Sequence, residues 1–218
     1  MSRAFTRQAP VPRNRRDRLW YHLGMSLIVP QFPKTRRWTV DEYYRLADHG
    51  FFIDQRVELI AGRIIEMAPQ KDPHAVAILL GHQALSGAFG EGYVVRCRLP
   101  LHLSSNSEPE PDFAVLAGGP RDFLGKGHPR TALLVVEISD TTLRYDRRKK
   151  AGLYAKAGIE DYWIVNLIDR QLEVHRKPVA DRGHPFGHRY ADVSFVGGSD
   201  AVIPLAIPVA VAAADLLP

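Results

Sequence analysis

Cysteine is almost absent from this chain of 218 residues: Cys97 stands alone. No internal disulfide can form, so the fold must hold itself by its core, and a reducing, cytoplasmic setting is the expectation. Long apolar runs are missing too. None approaches the roughly 20 residues a membrane-spanning helix needs, so no membrane partner is expected. Leu27-Ile28-Val29 is too short for the apolar centre of a secretory signal. The glycine-rich phosphate loop and the dinucleotide fingerprint are absent, and no nucleophile elbow marks a serine hydrolase. His184 and His188 stand near each other, but Pro185 and Gly187 between them argue against a helix presenting both to zinc.

Acidic charge is scarce in only one place. Residues 1–37 hold nine Lys/Arg and a single acid, Asp17, a net of +8; the remainder holds 20 Lys/Arg and 23 Asp/Glu, a net of −3. The basic pI of about 9.4 therefore belongs to the N-terminal tail. A body at −3 carries no electrostatic footprint for nucleic acid beyond local patches. Residues 1–34 lack apolar periodicity and read as a disordered basic arm, with a single domain over 35–218. The arm is either an ordinary solvated tail or a contact for phosphate backbones; a third reading makes Met25 the true start.

What is present centres on residues 133–166. Leu133 to Ile138 is a continuous apolar run interrupted by Glu137, as expected of a strand covered on both faces. A carboxylate there is costly to desolvate unless a positive group meets it. Tyr145–Ala157 reads as a helix whose inward stripe holds Asp146, Lys150, Leu153, Tyr154 and Ala157, with Lys149 at its edge. Asp161 to Asn166 follows as a second strand. Strand, helix and strand make a crossover unit, with a right-handed connection expected.

Along the rest of the chain, Thr39-Val40-Asp41-Glu42 is a capping-box sequence opening a helix that Gly50 closes. Ala61-Gly62 between two apolar runs reads as a two-residue hairpin. Pro73 begins a helix to Phe89, and short strands are expected at Tyr93–Arg96 and Leu99–Leu103. Pro109 and Pro111 impose an extended approach to a strand starting at Asp112. Leu172–His175 is expected to pair with Tyr162–Val165 across Asp169-Arg170, with a loop over Asp181–His188 and short strands near Ser194–Val196 and Ala201–Ile203.

Glu58, Asp112 and Glu137 are acids at strand positions where a sheet does not ask for them. Each alone reads most simply as a solvated side chain. Together with Lys150 on the inward stripe they form the apparatus for hydrolysing a phosphodiester: carboxylates for a hard divalent cation, and an ammonium to steady developing charge.

Arg37-Trp38-Thr39-Val40 with Tyr43, Arg56-Val57-Glu58-Leu59-Ile60 with Gly62, Ser107 to Asp112, Val136 to Asp140, Tyr145-Asp146-Arg147, Lys150, Tyr154-Ala155 and Trp163-Ile164-Val165 occur in an order and spacing that resemble one family. The chain resembles the Uma-type restriction endonucleases, a bacterial group related to the PD-(D/E)XK nuclease superfamily, from about Arg37 to Leu217. The resemblance implies a restriction-endonuclease-like fold, an α/β arrangement with a mixed β-sheet flanked by helices. It implies Mg²⁺, or Mn²⁺, held by Asp112 and Glu137 with Glu58 assisting and the backbone carbonyl of Ile138 approaching. DNA is then the partner and substrate. The superfamily's lysine position holds Ser139, and the family pattern places the lysine at Lys150. Cutting both strands often uses two sites, so a homodimer is among the expectations. His74 is similar to a family histidine, yet a lone histidine reads first as structural and stays outside the expected site. The rival to a nuclease is a protein that keeps this fold without turnover and serves as an interaction module for nucleic acid or protein.

Overall fold

Thr39 ends an extended segment and starts a helix. Its hydroxyl accepts the Glu42 N–H at 3.3 Å while the Glu42 carboxylate accepts the Thr39 N–H at 3.0 Å, closing a capping box at the head of α1 (Val40–Asp48). Strands β1 (Val57–Ile60) and β2 (Arg63–Glu66) form the expected hairpin. Ala61 and Gly62 both take positive φ, 48° and 73°, the backbone that lets a two-residue turn follow strand twist. The computed structural model describes residues 33–218. Residues 1–32 of the expected basic arm, with the alternative start at Met25, lie outside the described residues.

Helix α2 (Asp72–Phe89) has Pro73 in its first turn, where a missing N–H costs nothing. The main sheet follows: β3 (Tyr93–Cys97), β4 (Phe113–Ala117), β5 (Leu134–Ser139), β6 (Asp161–Asn166), β7 (Gln171–Ala180) and β8 (His188–Gly197), hydrogen-bonded in that order. Only β5 and β6 run parallel, and the connection a parallel pair requires is helix α3. This helix spans 143–156 and is built of α-helical Leu143–Tyr145, π-helical Asp146–Lys150 and α-helical Ala151–Lys156. A small pair, β9 (Ala201–Val202) and β10 (Val211–Ala212), closes the chain.

Strand alternation sorts the sheet into two cores. Leu134, Val136 and Ile138 of β5 join Phe113, Val115, Trp163 and Val165 against Ala77, Ile78, Leu85 and Phe89 of α2 and against the C-terminal Val211, Ala213 and Leu216. Val135, Ala114, Leu116, Tyr162 and Ile164 meet Leu143, Ala151, Tyr154 and Ala155 of α3 on the opposite face. Glu137, between Val136 and Ile138, consequently turns toward α3. Arg147 and Glu173 of β7 add a second tie on that side, with Nη2 to Oε1 at 2.7 Å. Burial alone would raise the Glu173 carboxyl, but the His175 ring, Arg147 and Asn166 bring it down to about 2.

Several boundaries differ from expectation. The central strand starts at Leu134, leaving Leu133 37% exposed. Strand β4 starts one residue after Asp112. Leu99–Leu103 is not a strand: Arg98 takes φ 51°, Pro100 has no N–H, and the Leu101 N–H bonds singly to the Pro109 carbonyl at 2.9 Å. Ser194–Val196 belongs to the ten-residue β8 rather than a short strand. Helix α3 begins at Leu143 and carries a π-helical turn that a 3.6-residue period does not reveal. Among the described residues no helix is long and apolar enough to cross a membrane.

The approach of α2 to β4 is set by Gly81, where an added Cβ would sit 2.7 Å from Cε2 of Phe113. Phe113 is fully buried and cannot swing away. Alanine at an ordinary helix position gains about 1 kcal/mol over glycine, whereas overpacking a core costs about 1–3 kcal/mol. We expect Gly81→Ala to lower the thermal midpoint by about 3 °C or more, measured by circular dichroism. A raised midpoint would show that the helix stands farther from the sheet.

Candidate active site

Four separate stretches deliver the site. Glu58 arrives on β1, which the Glu108 N–H holds to the Leu59 carbonyl at 2.7 Å. The Glu110 N–H then donates to Glu58 Oε2 at 3.2 Å. Asp112 arrives at the end of the proline-stiffened segment. Its Oδ2 accepts the Ile138 N–H at 2.9 Å, which fixes the carboxylate beside β5. Glu137 projects from β5, and Lys150 closes the π-helical turn of α3.

The convergence is close. Lys150 Nζ lies 3.0 Å from Glu137 Oε1 and 3.3 Å from Glu58 Oε2. The Tyr154 hydroxyl donates to the same Glu137 oxygen at 2.7 Å. Lys150, Glu137 and Glu58 are 6%, 4% and 2% exposed. Glu58, Asp112, Glu137, Ile138 and Lys150 all line one cavity of about 640 Å³, so every residue singled out in the sequence is brought to one place. Asp146, on the same inward stripe, is bonded to hydroxyls and not to Lys150. Its Oδ2 accepts the Ser139 and Thr142 hydroxyls, and its carbonyl accepts the Tyr162 hydroxyl at 3.3 Å. It clamps the start of α3 to the end of β5 and makes no direct ion pair with Lys150 among the described residues.

His74 belongs to the same cavity, with Nε2 3.2 Å from Asp112 Oδ1. Reading it as structural kept it outside the expected site; a single histidine in a first helical turn has no periodic signature to mark it. Tyr154 was visible only as an apolar stripe residue, although its hydroxyl is the part that reaches Glu137. Arg98, with Nε 3.7 Å from Asp112 Oδ1, gave no signal either.

The cavity wall carries a surplus of acid. Glu58, Glu66, Glu110, Asp112, Glu137, Asp140 and Asp146 face the fixed cations Arg56, Lys71 and Lys150. Burial pushes the Glu137 carboxyl up to about 8; Lys150 opposes that rise, while Asp146, Asp112 and Glu58 add to it. Burial alone would pull the Lys150 ammonium down, but Glu137, Glu58 and Asp146 outweigh it and hold it well above its ordinary value. The lysine keeps its charge, and Glu137 is biased toward holding a proton. Burial likewise raises Asp146 and pushes the Tyr145 phenol up to about 12.

The donor chemistry suits a hard divalent cation, which takes carboxylate oxygens. Glu58 Oε1 and Glu137 Oε2 accept no hydrogen bond among the described residues, while their sister oxygens are taken by Lys150. No trio of acid, histidine or cysteine side chains among the described residues stands in a ready-made coordination shell. The residues fit such an ion by chemistry and charge, not by a prearranged cage.

A six-stranded mixed sheet flanked by helices, with acids gathered beside the parallel pair, is the restriction-endonuclease-like class of fold. The solved structure of a protein from Anabaena variabilis ATCC 29413, described as a "putative nuclease belonging to DUF820", matches with a TM-score of 0.60 and 14% identity, covering 82% of this chain and 96% of that one. Residues 40–214 match the Uma2 family, described as "Putative restriction endonuclease". The chain belongs to that family. A search of curated proteins finds no significant match.

A carboxyl raised by folding favours the folded state at low pH. Glu137 binds its proton more tightly in the native protein, so its contribution is full below about pH 4.5 and is lost as pH rises toward about 8. Without added metal, the melting midpoint of Glu137→Gln should fall less between pH 5.5 and 8.5 than that of the wild type. An equal or steeper fall in the variant would mean that Glu137 is not the group holding the proton.

Proposed function

We infer that this protein is a metal-dependent endonuclease that hydrolyses DNA phosphodiester bonds. The observation that carries the reading is a buried ammonium, Lys150, held between Glu137 and Glu58 on the wall of a cavity that Asp112 also borders. Asp112 and Glu137, with Glu58 and the carbonyl of Ile138, are the residues to hold Mg²⁺ or Mn²⁺. When bound, such an ion supplies Lewis acidity and a water of lowered pKa.

The chain's own groups do the rest. Lys150 sets a positive charge beside the scissile phosphate, where negative charge grows as water adds. Tyr154 holds the Glu137 carboxylate by one oxygen, leaving the other toward the cavity. His74 and the Ile138 N–H fix the two oxygens of Asp112. In the reaction, water oxygen bonds to phosphorus, one ester P–O bond breaks, and the departing alkoxide takes a proton. One site per chain cuts one strand, so a homodimer belongs to the same reading for duplex DNA. The lone Cys97 suits a reducing cytoplasm.

One observation favours the second reading, a nuclease fold without turnover that serves as an interaction module. The site acids already have protein partners, and no coordination trio stands ready among the described residues. Cleavage of plasmid and single-stranded DNA with Mg²⁺ or Mn²⁺ separates the two. The nuclease reading expects cutting that Glu137→Ala abolishes and that Lys150→Ala lowers by roughly 10²-fold or more. Lys149→Ala, at an exposed position, should have a mild effect. Equal nicking by wild type and Glu137→Ala would assign the activity to a contaminant and leave the interaction module.

Manganese binding provides a further check. Calorimetric titration with Mn²⁺ should give a signal in the wild type that Asp112→Asn loses. A signal unchanged in Asp112→Asn would place the ion away from this cavity.

A further inference from the structure

An acidic cavity in a body of net charge −3 repels a polyanion, so affinity for a nucleic-acid strand has to come from cations outside the cavity. Helix α3 gathers five cations within seven residues, Arg144, Arg147, Arg148, Lys149 and Lys150. Two are already committed. Lys150 is turned inward to Glu137 and Glu58. Arg147 is held by Glu173 at 2.7 Å, with Asp169 at 3.6 Å. Arg144 and Arg148 are exposed, and neither guanidinium makes a hydrogen bond or ion pair among the described residues.

Both line a second depression of about 400 Å³, with Leu143 and Ile168 forming part of its apolar wall. Its remaining wall includes Asp140 and Thr141, which also border the catalytic cavity, so the two hollows adjoin. At the junction, Oδ1 of the Asp140 carboxylate accepts the Thr141 N–H and hydroxyl. A strand leaving the catalytic cavity past Thr141 meets two free guanidiniums, which suit phosphate oxygens through forked donors.

We propose that Arg144 and Arg148 bind backbone phosphates of the DNA strand flanking the scissile bond, making the depression beside α3 the track along which substrate enters. This rests on the nuclease reading and adds where the substrate lies. Phosphate contacts carry no sequence information, so the track supplies affinity and register rather than specificity.

The test is anisotropy of a labelled 20-base-pair DNA duplex on the full chain in Ca²⁺, over a series of salt concentrations. Arg144→Gln/Arg148→Gln should make the plot of log affinity against log salt shallower by about 2. Lys177→Gln/Arg182→Gln, at the far end of β7 and in the loop after it, should keep the wild-type slope and the wild-type cleavage. Circular dichroism confirms that each variant is folded.

An unchanged slope in Arg144→Gln/Arg148→Gln would overturn the track. It would leave the nuclease reading standing wherever Glu137→Ala still abolishes cleavage. Equal losses in both double variants would also overturn it, by reducing the effect to overall charge. Wild-type protein that cleaves DNA but binds the duplex with no salt dependence would overturn it as well. Wild-type protein that neither binds nor cleaves DNA would remove both readings together.

Discussion

The site depends on an ammonium buried among carboxylates. Lys150 taken alone would be strongly disfavoured at 6% exposure, and so would Glu137 at 4%. Each is tolerable because the other lies 3.0 Å away, with Glu58 beyond at 3.3 Å. A pair of this kind contributes little to stability against an apolar replacement, yet removing one partner costs about 3–5 kcal/mol. The pair therefore fixes where three elements meet, namely the β1 hairpin, the central strand and α3. That location is on the wall of the cavity.

Each element has its own means of holding this arrangement. The β1 hairpin is anchored by backbone pairing between Leu59 and Glu108. Helix α3 is anchored at its head, where Asp146 takes hydroxyls from Ser139 and Thr142, and along its flank, where Arg147 meets Glu173. The π-helical turn carries residues to both sides. The Ala151 N–H reaches back to the Asp146 carbonyl, and around this turn Asp146 and Lys150 face inward while Arg147, Arg148 and Lys149 face out. Such turns are frequent at functional sites.

The parts legible from sequence are those where local chemistry and burial agree. Leu133 to Ile138 reads as a central strand because nothing polar interrupts it except Glu137, and the strand itself spans Leu134–Ser139. The capping box at Thr39 and the turn at Ala61-Gly62 read correctly because their signals are backbone signals. The inward stripe of α3 put Asp146 and Lys150 together although the helix has a π-helical turn, because both side chains stay on the inner face. What stayed hidden depends on tertiary partners. Leu99–Leu103 has strand-like composition, but Arg98 and Pro100 break its ladder. His74 matters only because Asp112, 38 residues away in sequence, comes to rest 3.2 Å from it. The free guanidiniums of Arg144 and Arg148 become distinct from Arg147 only once Glu173 is seen beside Arg147.

Serine at position 139 changes what kind of machine the site is. A lysine two residues after Glu137 would stand on a strand locked into a ladder between two neighbours, and its charge could move only if the sheet itself deformed. Here the charge rides on a helix. One residue along a helix axis is about 1.5 Å. A displacement of that size is half the distance between Lys150 and Glu137. The ammonium thus takes its position from the packing of α3 against the sheet, while Glu137 takes its own from the central strand.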